Sequence, residues 1–233
     1  IKLKIMIKKE IVAWNLSNSE YNLSETGKHL NAKEFNEIIE KEDTILIDMR
    51  NSYESEVGKF RTAICPTSNR SKDLINEAKE ILKGKENYNI AMYCTGGIRC
   101  EKASSHLIKK GFKNVFQLNG GIVEYSHQVK KQKIESKFIG KNFVFDDRLG
   151  ERVTEDVIAN CHLCKNKSDN HTNCKNDACH LLFIICKDCN KKLLGCCSPE
   201  CKEIYQLPIE DQRKIRKQFS KRFKNKFRPR VQP

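Results

Sequence analysis

The chain reads as an α/β protein, a parallel sheet flanked by helices, followed by a small zinc-binding cysteine-rich module and a basic C-terminal helix. Three observations predict this. Short apolar runs at residues 44–47, 90–93 and 115–118 alternate with helical patterns between residues 29 and 130, the signature of strand–helix–strand units with parallel strands. Nine of the twelve cysteines crowd into residues 161–201. Residues 208–233 hold ten Lys and Arg against Glu210 and Asp211, a net charge of +8. The 233 residues divide accordingly into 1–27, 28–135, 136–207 and 208–233.

Taken in order, residues 1–27 begin with a basic, strand-like run (IKLKIMIKKEIVAW), and a polar stretch leads to a helix over 32–39. The strand Thr44-Ile45-Leu46-Ile47 runs into Asp48-Met49-Arg50. The apolar run Ile90-Ala91-Met92-Tyr93 delivers Cys94 to a strand end, where Gly96 and Gly97 let the backbone curl. Ala103, Leu107 and Ile108 then recur at helical spacing, so the loop closes on a helix N-terminus. A loop of that kind turns its N–H groups inward and adds the helix dipole, which favours an anion at its centre. A cysteine held there has its pKa lowered from about 8.5 into the range of about 3.5–7.5, which makes Cys94 a candidate nucleophile. The strand Val115-Phe116-Gln117-Leu118 leads through Asn119-Gly120-Gly121-Ile122 into a helix passing Tyr125. No apolar run approaches the ~18 residues of a membrane-spanning helix.

Loop length narrows the chemistry. Arg99 follows Cys94 with four residues between, Thr95, Gly96, Gly97 and Ile98, whereas the phosphate-holding loops of tyrosine phosphatases are one residue longer. The shorter loop resembles that of rhodanese domains, which carry an extra sulfur on the cysteine as a persulfide. Upstream, EDTILIDMRNSYESEVGKFRTAI (42–64) resembles the rhodanese pattern of strand, Asp-x-Arg, aromatic-Glu pair, glycine and small residue. The resemblance implies that Asp48 and Arg50 are buried scaffold groups which, with Glu54, organise the floor of the Cys94 loop. Gly58-Lys59 departs from the Gly-His common in that family. CTGGIRCEK (94–102), RNSYESEVGKF (50–60) and FVFDDR (143–148) together resemble the oxygen-dependent tRNA uridine hydroxylases, a group of rhodanese-domain proteins that place a hydroxyl on C5 of the wobble uridine. The resemblance spans roughly residues 1–201. It implies that 1–27 is the last strand and linker of an N-terminal ferredoxin-like domain, in a fragment or processed form lacking the native N-terminus. It also implies a cytoplasmic protein, or an organellar one if a targeting signal preceded this chain.

The cysteine-rich stretch is read by spacing. Cys161-x2-Cys164 and Cys186-x2-Cys189 are paired knuckles, with Cys174 and Cys179 between them and Cys197 and Cys201 after them. Four-thiolate tetrahedral zinc needs two such pairs converging. In cross-brace order, Cys161, Cys164, Cys186 and Cys189 make one site, and Cys174, Cys179, Cys197 and Cys201 the other, for two structural zinc ions. Family resemblance extends to the first site, and the second resembles the cysteine-rich tail of eukaryotic-type relatives. Cys197 is preferred to Cys196 because Ser198 suits a helix N-cap and Pro199 the first helical position, placing Cys201 in the first turn. His162, His171 and His180 are read as surface groups or as partners of the ligands. Disulfides are the alternative for the cluster. With both ions bound, the formal charge of +14 falls to about +10.

The leading functional reading is an enzyme that hydroxylates the wobble uridine of tRNA, with Cys94 as the reactive thiol and the N–H groups of 95–99 stabilising its anion or persulfide. Arg99 anchors the loop or adds charge, and Cys100 either resolves a persulfide or disulfide on Cys94 or only packs at the helix start. The nearest rival is a sulfurtransferase taking sulfur from thiosulfate or a cysteine desulfurase; a second is a non-enzymatic zinc-dependent module binding RNA or protein. The sequence contains no flavin, haem or nucleotide motif and no 2-His-1-carboxylate set, and leaves oligomeric state open. Phe219, Phe223 and Phe227 share one helical face of the basic tail. That tail either docks by this stripe or serves as a phosphate-binding arm for the anticodon loop.

Overall fold

A computed structural model describes residue 7 and residues 10–222, with side chains to residue 218. The chain forms two compact units, one of residues 1–55 and 59–137, the other of 56–58 and 138–233.

The elements associated with the first unit run β1 (Lys28–Leu30), α1 (Ala32–Ile39), β2 (Thr44–Asp48), α2 (Ser52–Ser55), β3 (Gly58–Phe60), α3 (Ser71–Leu82), β4 (Asn89–Tyr93), α4 (Ile98–Lys109), β5 (Asn114–Leu118) and α5 (Gly121–Gln132). Four strands pair in parallel in the order β1-β5-β4-β2. Parallel strands are buried on both faces, and alternation along β4 divides the core. Ile90 and Met92 join Ile47, Val115, the α3 residues Ile75, Ala78 and Leu82, and the α4 residues Ala103 and Leu107. Tyr93 points to the other face, where Phe60 makes edge contacts with Phe35, Tyr93 and Tyr125, ring centroids 4.7–5.3 Å apart. Helix α1 starts where expected because Asn31 and Glu34 form a reciprocal capping box at 2.9–3.0 Å.

Residues 1–6, 8 and 9 of the expected ferredoxin-like remnant lie outside the described residues, and residues 10–27 contain no strand. They pack on the α/β unit instead: Trp14 and Leu16 are buried in its core, and the Trp14 indole N–H donates to Ser71 Oγ at 3.2 Å.

In the second unit, β6 (Phe138–Asn142) pairs antiparallel with β7 (Glu151–Arg152), and β8 (His171–Asn173) pairs antiparallel with β9 (Leu182–Ile184). Helices α6 (Lys187–Leu193), α7 (Pro199–Gln206) and α8 (Ile209–Arg222) follow. The FVFDDR segment begins just after β6; Phe143 and Val144 are buried, Phe145 is exposed, and Asp146 pairs with Arg148 at 2.7 Å. The small core is built from Phe183, Ile185 and the cysteines, with Cys161, Cys174 and Cys196 fully buried. Helix α8 forms over the expected basic tail, held by the Gln212 amide on the carbonyls of Tyr205 and Leu207 and by Arg216 with Asp177. Of the expected phenylalanine stripe, Phe219 lies in α8 without a described side chain, and Phe223 and Phe227 are outside the described residues. Among the described residues no helix is long and apolar enough to cross a membrane.

Candidate active site and metal centres

Cys94 follows the carboxyl end of β4, the position where open α/β sheets place their chemistry. Its side chain is 2% exposed and faces the start of α4, whose N-cap Gly97 has φ +91°, a left-handed conformation costly for any side chain. The Gly97 N–H donates to Cys94 Sγ at 3.1 Å. The Cys100 thiol lies against the same sulfur and is the largest influence lowering the Cys94 pKa to about 6; the Arg99 charge and the N–H groups of Cys100 and Arg99 add to it, against burial. Burial and the neighbouring Cys94 push the Cys100 thiol well up, which leaves Cys94 the more acidic thiol of the two. The cradle therefore extends one residue past Arg99.

The loop is held from two sides. The first N–H groups of α5 donate back to it, Ile122 to the Cys94 carbonyl and Val123 to that of Thr95, both at 3.1 Å. Gly121 permits this approach, because a Cβ there would stand 2.5 Å from the Cys94 carbonyl oxygen. From the floor, buried Glu54 accepts both terminal nitrogens of Arg99, at 2.7 and 2.8 Å, and the Thr95 hydroxyl at 3.3 Å. It also accepts the backbone and side-chain N–H groups of Asn51 at 3.0 Å. Below it, Arg50 pairs with Asp48 at 2.6 Å with both side chains buried, and the Tyr93 hydroxyl donates to Asp48 at 2.7 Å. The structure thus brings together Asp48, Arg50, Glu54 and residues 94–100. Sequence reasoning missed Tyr93, Asn51 and Gly121: the first reads as another apolar strand residue, the second as a turn, and the Gly120-Gly121 pair was the only available signal for the third.

Burial alone would raise the Glu54 pKa, but hydrogen bonding and the charge of Arg99 outweigh it and hold the carboxyl below the usual range. The stability this contributes is present above the unfolded carboxylate pKa and lost as pH falls through the lower folded value. Glu54→Gln leaves Arg99 without its counter-charge, and breaking a buried pair in this way costs about 3–5 kcal/mol. A loss of that size is expected in urea denaturation of the α/β unit; a change below about 1 kcal/mol, the surface-pair scale, would refute it.

In the second unit the eight cysteines singled out by spacing form two groups, Cys161, Cys164, Cys186 and Cys189, and Cys174, Cys179, Cys197 and Cys201. Within each group the sulfurs lie within 4.8 Å of one another, a spacing that can hold a metal ion. Measured separations are 3.5 Å for Cys164–Cys186 and 3.7 Å for Cys179–Cys197 and Cys197–Cys201. Cys186 caps α6, and Ser198 caps α7 with Pro199 at its start, which sets Cys201 in the first turn. The Cys197 N–H donates to Cys174 Sγ and the Asn176 amide to Cys201 Sγ, both at 3.4 Å. Cys196 stands outside the second group and packs against the core. Two histidines read as surface or ligand-partner groups are buried. His162 shares a 2.6 Å hydrogen bond with Glu56 and accepts the Ile184 N–H, and His171 stacks edgewise on Phe143. His180 is exposed.

Comparison with known proteins agrees with this architecture. The rhodanese-like domain matches residues 31–128 and the rhodanase C-terminal domain residues 139–202. A protein from Leptospira interrogans named tRNA uridine(34) hydroxylase is 49% identical over 99% of this chain and 64% of its own length. Proteins of the same name from Yersinia enterocolitica and Photorhabdus laumondii are 51% and 44% identical, over 91% and 99% of this chain and 60% and 66% of theirs. The chain thus spans under two thirds of the length of these curated relatives. With a rhodanese-like domain around Cys94 and a rhodanase C-terminal domain around both cysteine groups, the chain is a rhodanese-domain protein, similar at 44–51% identity to proteins named tRNA uridine(34) hydroxylase.

Proposed function

We propose that this chain carries the reactive part of a cytoplasmic tRNA-modifying enzyme that hydroxylates the wobble uridine. The observation that carries this reading is 44–51% identity to proteins of that name across 91–99% of the chain. Cys94 is the reacting group. Residues 97–100 keep it ionised near neutral pH, while Glu54, through Arg99 and Thr95, keeps the loop in one conformation. The test is mass spectrometry of tRNA nucleosides from cells carrying wild type or Cys94→Ser. Loss of 5-hydroxyuridine and its derivatives in the mutant supports the reading, and loss of a thiolated base instead favours sulfur transfer. That second reading has its own support in the rhodanese-like domain, in which Cys94 would carry a persulfide drawn from a sulfur donor such as a cysteine desulfurase.

Two zinc ions belong to the same proposal. Tetrahedral zinc with Zn–S bonds of about 2.3 Å needs sulfurs about 3.8 Å apart, and separations of 3.5–3.7 Å suit it. The N–H groups on Cys174 and Cys201 favour thiolates, as ligand-orienting hydrogen bonds do. When bound, zinc here is structural, since four thiolates leave no open position.

Helix α8 is the proposed RNA arm. Its described side chains are polar apart from Ile209 and Ile215, with Arg213, Lys214, Arg216 and Lys217 on successive turns, and a helix polar all round gains little from packing. Changing those four residues to Gln is expected to reduce the slope of log affinity for tRNA against log salt by about 0.7–0.9 per lost phosphate contact. An unchanged slope, with lost thermal stability instead, would make α8 a packing helix.

A further inference from the structure

The charges around Cys94 carry a consequence for what can reach it. Between Cys94 and Arg99 the loop side chains are Thr95, Gly96, Gly97 and Ile98, none of them charged. Arg99 directs both terminal nitrogens at buried Glu54, with one also shared with Thr95 Oγ1 at 3.2 Å. Arg50 is matched by Asp48. The α5 N–H groups that approach the loop are used on the Cys94 and Thr95 carbonyls. With Cys94 ionised, the loop and its floor therefore carry net negative charge, and an incoming dianion gains no pairing cation from the loop.

What the loop does present is apolar. Ile98 is 57% exposed and forms one wall of a groove with Ile11, Val12, Tyr21 and Leu23. The cation in that groove is already matched: Lys102 donates to Glu10 at 2.9 Å and to the Val12 carbonyl at 3.0 Å, and stands 4.6 Å from the centre of the Tyr21 ring. Aliphatic walls with one tyrosine face suit the stacking of an unpaired base, which every nucleobase offers through its flat π-face.

We propose that Ile98 is a specificity-determining residue of the Cys94 loop: the groove it lines takes a neutral, flat pyrimidine ring, and the loop disfavours sulfur oxyanions such as thiosulfate. The pyrimidine half rests on the function proposed above; the charge half does not.

Alkylation separates the two. Cys94 thiolate displaces iodide from neutral iodoacetamide or from anionic iodoacetate, and mass spectrometry of the Cys94 peptide follows each rate in the full chain. The iodoacetate-to-iodoacetamide rate ratio for wild type is expected to be no higher than for a neutral model thiol, and millimolar thiosulfate should not slow either reaction. Ile98→Arg should raise the ratio by about tenfold, equivalent to about 1.4 kcal/mol. Gly96→Arg should do likewise, since a Cβ at Gly96 meets nothing within 4 Å and the fold has room for it. A wild-type ratio about tenfold above the model thiol, or protection by thiosulfate, overturns the proposal. For the pyrimidine half, an anticodon stem-loop RNA with a wobble uridine should slow iodoacetamide on wild type, and Ile98→Ala and Tyr21→Ala should lose that protection. If the tRNA of wild-type cells carries the Cys94-dependent hydroxyl but the RNA gives no protection, the groove assignment is wrong. If hydroxylation itself proves independent of Cys94 while the alkylation ratio stays low, the proposed function fails and the charge selectivity stands.

Discussion

Cys94→Ser is expected to abolish formation of 5-hydroxyuridine while leaving circular dichroism and melting temperature within error of wild type. The substitution removes one sulfur and keeps a side chain of similar shape, but an alcohol is not ionised near pH 7, so the anion that the loop is built to hold disappears. Measured turnover equal to wild type would overturn every mechanism based on this loop. The same geometry sets a pH dependence. With the Cys94 pKa lowered to about 6, the thiolate is present above that value and lost as pH falls through it. Alkylation of Cys94 should therefore rise with a midpoint near pH 6, far below that of a free thiol. Cys100→Ala removes the largest stabilising donor. A hydrogen bond to a charged group contributes about 1.5–3 kcal/mol, so the midpoint should move up by about one to two pH units. Cys100→Ser, which keeps a donor, should move it less and slow turnover only mildly. An unmoved midpoint in Cys100→Ala would mean that backbone N–H groups and Arg99 suffice.

Removing metal from the cysteine-rich unit should have the largest effect on stability. Elemental analysis of protein prepared without metal supplements is expected to find two zinc ions per chain, and chelation should unfold residues 155–207. Structural zinc in small modules supplies about 10–16 kcal/mol of apparent binding free energy, comparable with the whole stability of a domain at about 5–15 kcal/mol. The core around the two groups, Phe183 and Ile185 with buried Cys161, Cys174 and Cys196, is built largely from the cysteines themselves. The α/β unit has its own core across β2, β4, β5, α3 and α4 and should keep its amide protection. Hydrogen exchange read peptide by peptide checks both halves. One zinc per chain would leave the second group free or disulfide-bonded, and none would overturn the zinc reading.

The parts of this protein legible in its sequence are those in which one residue type has one physical use. Apolar runs of four residues marked β2, β4 and β5, and the polar stretch before residue 32 marked the approach to α1. Cysteine spacing, helped by the serine–proline cap at Ser198 and Pro199, selected the same two groups of four that the structure assembles and set Cys197 ahead of Cys196. Each of these signals is local: periodicity, capping and ligand spacing act within a few residues. Strand β1 was not legible, because Lys28, His29 and Leu30 have no strand pattern of their own and become a strand only by pairing with Phe116, Gln117 and Leu118. The place of Trp14 and Leu16 was not legible either, since a basic segment with scattered apolar residues fits a strand as well as an arm laid across α3 and α4. At the site, sequence determined that Cys94, two glycines and Arg99 would share one loop. Only the tertiary structure decided that Arg99 is spent on Glu54, 45 positions away, and that Cys100 rather than Arg99 is the main donor to the thiolate. The physical reason is that a charge acts through its distance to other charges and its exposure to water, and both are set by the packing of segments far apart in the chain.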